Sequence, residues 1–277
     1  MKIINTLILF LLFVTQAAAQ STFGEQFKLA KKLYAEEQYF DAITEAKRLL
    51  FFDESGLYDY ESYELMAQCY KQGARFSDAI RYFTLAEINA RNEDEIYHSR
   101  IEIIRANILR RTTTRAFKLL DSLAADKRFS DRKDEITYWR GWAYIFSDEW
   151  LKASKEFAKI DSAKELSSVT KQVYDDMYSV SFAKTVSYFI PGAGQFYTGE
   201  YVSGLLSLGW NILWGYVTIN AFVSERVFDG FMVANFLWLR FYRGNLQNAE
   251  NFAKEKNLII ANKTLHYLQF EYEGLKP

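Results

Sequence analysis

The sequence predicts an all-α protein: a stack of about four helical hairpins, followed by a helical hairpin that crosses a membrane. Three observations lead to this fold class. Small and aromatic residues recur at a fixed interval through the first half of the chain. A 23-residue run without a charged side chain follows, from Tyr201 to Val223. Only 2 of the 277 residues are proline, which suits long uninterrupted helices.

The N-terminus has the pattern of a secretory signal peptide. Lys2 supplies a positive charge, Ile3 to Val14 forms an apolar core, and Ala17-Ala18-Ala19 provides small residues for cleavage. We therefore assign residues 1–19 to a signal peptide, so that the mature chain begins outside the cytoplasm. The alternative is a permanent N-terminal anchor, although the apolar run is short for a span of about 20 residues.

Four alanines mark an internal repeat between residues 23 and 165. Each follows the previous one by 37 residues: Ala42, Ala79, Ala116 and Ala153. Small or apolar residues recur 12 positions before these alanines, and apolar residues recur four and seven positions after them. A single hairpin with this pattern cannot bury its apolar face alone, so we expect successive hairpins to stack.

The clearest unit of the repeat runs from Leu65 to Glu87 and reads LMAQCYKQGARFSDAIRYFTLAE. Its small and aromatic positions resemble those of the tetratricopeptide repeat, although the third unit is degenerate and the usual proline near the repeat end is absent. The resemblance implies a TPR-like α-solenoid whose groove, lined by the first helix of each hairpin, holds a protein or peptide partner. Candidate groove residues are Tyr63, Arg100, Asn107 and Arg140. For each of these four residues, packing within the solenoid is an equally good interpretation.

Residues 185–243 are predicted to form a membrane domain, joined to the repeats by a connecting helix over residues 166–184. As a helix, the run from Tyr201 to Val223 would measure about 34 Å, enough to cross a hydrocarbon core of about 30 Å. A polar break at residues 224–226 separates it from a shorter apolar run, Val227 to Phe241. Residues 244–277 are predicted to form a polar helical tail. The alternative for the whole region is a soluble, unusually apolar helical cap on the repeats.

Small and polar residues predict the packing face of the membrane hairpin. They recur every four residues on its first helix and have counterparts on its second: Ser203, Ser207, Asn211, Gly215, Gly230, Ala234 and Asn235. Small residues at this spacing permit close approach of helices in lipid. We expect Asn211 and Asn235 to form a hydrogen bond across the pair, because an unpaired amide in lipid is costly.

A loop with helix-breaking residues precedes the hairpin, in the segment SYFIPGAGQFYTGEYVSG from Ser187 to Gly204. It resembles the loop of the two-transmembrane-helix domain family, and the matching residues are Gly192, Gly194, Phe196, Tyr197, Gly199 and Gly204. Together with Pro191 and Gln195, these residues form the pattern PGAGQ-x-Y-x-G. The pattern resembles one in bacterial envelope proteins without an assigned function. A phosphate-binding loop is disfavoured because no Lys-Ser/Thr follows the glycines and no strand precedes them.

Catalytic and metal sites have no signature in this sequence. The one cysteine, Cys69, and the two histidines, His98 and His266, share no ligand spacing. A net charge of −1 provides no global basic field for nucleic acid. We therefore predict no enzyme, no metal, no cofactor, no nucleic acid and no small-molecule substrate.

Together these features predict a scaffold anchored in the bacterial inner membrane, with its repeats in the periplasm and a protein or peptide as partner. The second interpretation is a subunit of a membrane transport, secretion or insertion complex in which the hairpin is the working part. A membrane enzyme is the third. The number of crossings stays open, because the basic residues after the second apolar run (Arg240, Arg243, Lys254 and Lys256) favour a cytoplasmic C-terminus.

Overall fold

A computed structural model describes residues 23–277, and these residues form an all-α protein in which neighbouring helices are packed together. No strand occurs within that range. The predicted signal peptide, residues 1–19, lies outside it. The chain divides into two compact units, one ending at Ser167 and the other covering residues 168–276.

The first unit consists of consecutive helices joined by short turns. Helix α1 covers residues 23–35. It is followed by α2 (Tyr39–Phe52), α3 (Asp59–Gln72), α4 (Phe76–Ile88), α5 (Glu93–Leu109), α6 (Thr113–Ala125), α7 (Lys133–Phe146) and α8 (Trp150–Phe157). From α2 to α8, each helix packs against the next one along the chain.

The 37-residue interval coincides with the helix boundaries. Helices α2, α4, α6 and α8 each begin three residues before one of the aligned alanines, and all four alanines are fully buried. The residues four positions further on are buried as well: Ala46, Phe83, Leu120 and Phe157. Close packing also explains Gly141 on α7, where an added Cβ would lie 2.6 Å from the Phe157 ring. This arrangement is consistent with a helical-repeat fold.

One backbone turn recurs in every repeat. Its central residue has a positive φ of 56° to 61°, and it occurs at Glu37, Ala74, Arg111 and Asp148, which are again 37 residues apart. In each turn the following N–H bonds to a carbonyl five residues earlier, as Arg75 N–H does to the Tyr70 oxygen at 2.8 Å. This is the Schellman helix ending, which glycine normally favours. None of the four positions holds glycine, so composition alone did not reveal the turn.

The second unit contains the C-terminal helices. Helix α9 (Lys164–Asp176) begins just before the boundary and is followed by α10 (Val180–Phe189), α11 (Ala193–Tyr197), α12 (Tyr201–Val223), α13 (Val227–Val233) and α14 (Leu239–Phe270). The single connecting helix expected over residues 166–184 is therefore two helices. A new helix starts at Val180 because the Ser179 hydroxyl accepts the Phe182 N–H at 3.2 Å.

Among the described residues, α12 alone has the length and apolar composition needed to cross a membrane. It ends in another Schellman-type turn, with Glu225 at a φ of 60°, and it packs against α13 and α14. Helices α13 and α14 are joined by a π-helical segment, Ala234–Trp238. The polar tail expected from residue 244 is not a separate element, because α14 continues without a break to Phe270 and packs against α10.

Candidate functional site

The four residues predicted to line a groove form contacts within the repeat unit itself. The Tyr63 ring lies 6.5 Å from the Tyr82 ring, between centroids. The Arg100 guanidinium forms ion pairs with Glu87 and Asp126, and Arg140 pairs with Asp121 at 2.8 Å. Three of the four, Tyr63, Arg100 and Arg140, remain partly accessible to solvent.

Asn107 is a correction to the predicted groove. Its side chain is 3% exposed, its amide donates to the Ile103 carbonyl at 2.8 Å, and its side-chain oxygen accepts the Thr112 hydroxyl at 2.8 Å. The equivalent positions in the other repeats, Leu33, Tyr70 and Tyr144, are half-buried, so this position faces the stack in part throughout. Asn107 therefore secures the end of α5 and is not available to a partner.

A ladder of charged side chains connects α3 and α5. The Glu102 carboxylate is 1% exposed and receives Lys71 Nζ at 2.9 Å as well as the Arg105 guanidinium. Burial lowers the pKa of Lys71, against the opposing effect of Glu102. Beside this cluster, His98 Nε2 lies 3.2 Å from Glu64 Oε1, and this hydrogen bond raises the pKa of His98. The ladder stabilises the contact between neighbouring hairpins.

The glycines of the loop motif permit close backbone packing in the second unit. Gly192 has a φ of +94°, and a Cβ there would lie 2.4 Å from the Gly204 carbonyl oxygen. A Cβ on Gly194 would lie 2.3 Å from the Ala183 oxygen. Gly199 has a φ of +80° and open space around it, so its role is to end α11. The motif thus builds a tight corner between α10 and α12.

A buried polar network lies behind this corner and is centred on Asn245 of α14, which is 2% exposed. Its side-chain oxygen accepts the Gly192 N–H at 2.8 Å, the Ser207 hydroxyl at 2.9 Å and the Gln195 amide at 3.1 Å. Its amide donates to the Ser187 carbonyl at 3.1 Å. One side chain therefore connects α10, the loop motif, α12 and α14.

The remaining loop-motif residues support the same corner. The Tyr197 hydroxyl accepts the Ser179 N–H at 3.0 Å, and its ring packs against Phe182 with centroids 5.0 Å apart. Pro191 is half-buried just before Gly192. Gln195 is fully buried, and its side-chain oxygen lacks a hydrogen-bond partner. These contacts assign the motif a structural role in joining helices.

The small and polar stripe of α12 only partly faces its partner helix as expected. Gly215 packs at the Trp238 ring, and Gly230 packs beneath the Phe222 ring. Ser203, Ser207 and Ala234 are half-buried. The expected hydrogen bond between Asn211 and Asn235 is absent: each amide donates to its own helix, Asn211 to the Ser207 carbonyl and Asn235 to the Phe231 carbonyl.

A π-helical segment changes the direction of the side chains that follow Asn235. A π turn holds one more residue than an α turn, so the side chains beyond it are rotated by about 100° relative to a regular helix. Asn235 lies in the segment and is exposed. Arg240, which follows the segment, lines a groove against α12 instead.

This groove is a candidate site in the second unit, with a volume of about 610 Å³. Its polar lining includes Ser203, Ser207, Asn211, Asn245 and Asn248, and its apolar lining includes Leu206, Trp210 and Phe241. Two charged residues, Glu200 and Arg240, also line it. Asn245 and Asn248 were not predicted from the sequence. The spacing of Asn245, Ala249 and Ala253, every four residues on one buried face, was the available signal for Asn245.

The fold and these sites define an all-α protein that combines repeated helical hairpins with a second helical unit containing a polar groove. No protein-family model, curated protein or solved structure matches the chain. The function must therefore be inferred from the surfaces themselves.

Proposed function

We propose that this protein is a membrane-anchored scaffold of the bacterial cell envelope. Its tetratricopeptide-like repeats lie in the periplasm and hold a protein partner, and its membrane domain, residues 185–243, lies in the inner membrane. The exported location rests on the N-terminal signal pattern of residues 1–19, and the anchor rests on α12.

The exposed surface of α12 is the observation that carries the anchor. Its large apolar side chains point away from the rest of the unit: Tyr201, Val202, Leu205, Leu206, Ile212, Leu213, Tyr216, Ile219 and Val223 are between 45% and 77% exposed. Only 22% of its most apolar window is buried. The core helix of a water-soluble unit would bury these side chains, whereas lipid covers them without loss.

An apolar patch on α2 supports the protein partner. Phe40 is 80% exposed, Phe51 is 79% exposed, and the Phe51 and Phe52 rings pack edge to face with centroids 5.0 Å apart. Exposed aromatic clusters of this kind mark interaction surfaces. This patch replaces the four predicted groove residues as the strongest candidate surface in the repeats.

Photo-crosslinking in native membranes tests the scaffold. A photoreactive amino acid at Phe51 should yield a defined cross-linked protein, and Phe40→Ser should reduce its yield at least several-fold. Ile88→Ser on α4, at a side chain that is 73% exposed, is the matched control and should leave the yield unchanged. Equal yields from all three proteins would reject the α2 surface.

A transport or insertion subunit is the second candidate function, favoured by the polar groove inside the hairpin. In that case residues 180–277 would carry out the transport or insertion, and the repeats would only dock this subunit to its complex. Removing the side-chain polarity of the groove, with Asn248→Leu for example, should then abolish function in cells while partner cross-linking at Phe51 persists. The scaffold predicts the opposite dependence.

A further inference from the structure

The groove of the second unit contains an arginine without a counter-charge. Within residues 23–277, Arg240 forms no ion pair and no side-chain hydrogen bond. Glu200, which also lines the groove, already pairs with Lys256 at 2.8 Å. The acidic residues between 201 and 249 are Glu225 and Asp229, and Asp229 precedes Arg240 by 11 residues, about 16 Å along a helix. The α12–α14 hairpin therefore supplies no carboxylate to Arg240.

A buried acceptor in the same groove also lacks a partner. Asn211 is 5% exposed, its amide donates to the Ser207 carbonyl at 2.8 Å, and its side-chain oxygen receives no hydrogen bond. A buried polar atom without a partner is unfavourable, and lipid offers it no water as a substitute. Asn211 therefore favours an occupant of the groove that carries a hydrogen-bond donor.

Both groups lie at the level of the middle of α12. Asn211 is the eleventh of the 23 residues of this helix. Arg240 is next to Phe241, whose ring stacks on Trp210 at a centroid distance of 5.5 Å. In the proposed membrane location this level lies in the hydrocarbon core, away from the lipid phosphates. Charged side chains at such depth are costly and normally pair with one another between helices.

The packing surface of the groove is open and suits a helix. Ser203 and Ser207 of α12 and Gly244 of α14 line it, and small residues let another helix approach closely in lipid. An added Cβ on Gly244 would meet no atom within 4 Å, so the backbone here is uncovered. Leu206 and Trp210, which are 58% and 41% exposed, add apolar contact area.

We propose that this groove binds a transmembrane helix of a partner protein that carries an Asp or Glu side chain at mid-membrane depth. The carboxylate pairs with Arg240 through charge-assisted hydrogen bonds, and a polar side chain of the same helix donates to the Asn211 oxygen. A second copy of this chain does not fit, because between residues 201 and 249 its acidic residues lie only around the turn that follows α12. This docking rests on the proposed membrane location of α12 and names a class of partner for it.

Photo-crosslinking to synthetic transmembrane peptides tests the docking. The full chain, with a photoreactive amino acid at Leu206, is reconstituted in phosphatidylcholine vesicles with a leucine–alanine helix that has Glu or Gln at its centre. We expect the Glu peptide to cross-link at least about three-fold more than the Gln peptide, within the range that polar contacts between membrane helices contribute. A photoreactive residue at Ile212, which is 63% exposed and does not line the groove, should show no preference.

Exchanging the charges distinguishes a direct ion pair from a structural effect of the arginine. Arg240→Gln should lower the yield of the Glu peptide to that of the Gln peptide. Arg243→Gln, at an exposed arginine outside the groove, should leave the preference unchanged. Arg240→Glu should instead prefer a peptide with Lys at its centre, and absence of this reversal would contradict the pairing.

Filling the groove tests the packing independently of charge. Gly244→Leu places a side chain in the groove and should reduce the yield of the Glu peptide several-fold with Arg240 intact. Gly209→Leu is the matched control, because an added Cβ there also meets no atom within 4 Å but the residue does not line the groove. Equal yields from the two variants would reject the groove as the docking surface.

The remaining failures are distinguishable. Equal yields from the Glu and Gln peptides, in a chain that floats with the vesicles after carbonate treatment, would overturn the docking and leave the anchor intact. Cross-links at Leu206 between two copies of the chain that the Glu peptide does not displace would assign the groove to a dimer, and cross-links to lipid alone would assign it to lipid. A chain that does not float would reject the membrane location of α12 and the docking with it.

Discussion

At the scale of single residues, Asn245 holds the second unit together. Two donors from the loop motif and one from α12 converge on its side-chain oxygen, and all three are buried or half-buried. We did not predict this from the sequence, because an asparagine on a long polar helix is typical of a solvated face. Only the folded chain brings it beside Gly192 and Ser207.

Asn245→Ala should therefore be strongly destabilising. It leaves the Gly192 N–H and the Ser207 hydroxyl without acceptors, and each unpaired buried donor costs about 1–3 kcal/mol. We expect a loss of about 2–4 kcal/mol in the free energy of unfolding of the second unit, measured by denaturation in detergent micelles. Asn248→Ala, three residues further along and exposed, is the control and should change it by less than about 0.5 kcal/mol. Similar effects of the two changes would contradict the network.

His98 gives the repeats a pH-dependent contact. Its hydrogen bond with Glu64 raises the pKa of the imidazole above the ordinary value of 6.5 in the folded state. The stabilisation is therefore complete below about pH 6.5 and is lost as the pH rises through the raised pKa. The unfolding midpoint of the wild-type chain should fall relative to that of His98→Gln between pH 6 and pH 8.5. A constant difference across this range would exclude the contribution of His98.

At the scale of helices and turns, the alanine spacing was sufficient to locate the repeats. The predicted interval of 37 residues matches the starts of α2, α4, α6 and α8, because small buried residues are required wherever two helix backbones approach closely. The turns between the helices were not predictable in the same way. Their positive φ values fall on Glu37, Ala74, Arg111 and Asp148, whereas sequence rules look for glycine.

The recurring turn can be tested by introducing the missing glycine. Ala74→Gly relieves the unfavourable left-handed conformation of an alanine, so the first unit should gain about 0.5–1 kcal/mol in the free energy of unfolding. Ala124→Gly, an exposed position near the end of α6, should lose about as much because glycine is a poor helix former. Destabilisation by both substitutions would show that the turn at Ala74 is not strained in solution.

The π-helical segment limited prediction in the second unit. A regular helical period placed Asn235 against Asn211, but the extra residue in the turn between Ala234 and Trp238 changes which side chains face α12. No simple pattern in the sequence marks such a segment, at whose end Trp238 packs at Gly215. Helix periodicity is therefore a reliable guide to α12 and an unreliable one beyond residue 234.

At the scale of the whole molecule, the two units differ in the surface they expose. The described part of the first unit exposes a few scattered large apolar residues, most strongly on α2 and at Ile88, and the second exposes them along the whole of α12. Hydropathy predicted this contrast from the sequence, because a run of 23 residues without charge is rare in a water-soluble helix. The corner motif and the groove could not be predicted, since both depend on long-range contacts with α14.

Introducing a charged residue on α12 distinguishes a lipid environment of this helix from an aqueous one. Ile212→Lys places a charge on a side chain that is 63% exposed. In a bilayer this costs about 2.5–3.5 kcal/mol at the helix centre, whereas in water it is nearly neutral. We expect the variant to be partly released from membranes by alkaline carbonate. Phe51→Lys, on the repeats, is the control and should stay in the membrane fraction. Release of the wild-type chain itself would reject the anchor.

The recurring turns at residues 37, 74, 111 and 148 also constrain how such a chain can change in length. A duplicated segment of 37 residues would meet its neighbours with the same backbone geometry at both joints, so whole hairpins can be gained or lost by duplication and deletion. An insertion of any other size within a helix would shift every later contact face out of phase. Variation among homologous chains should accordingly occur in multiples of one hairpin, or in the loops that precede the first helix of each pair.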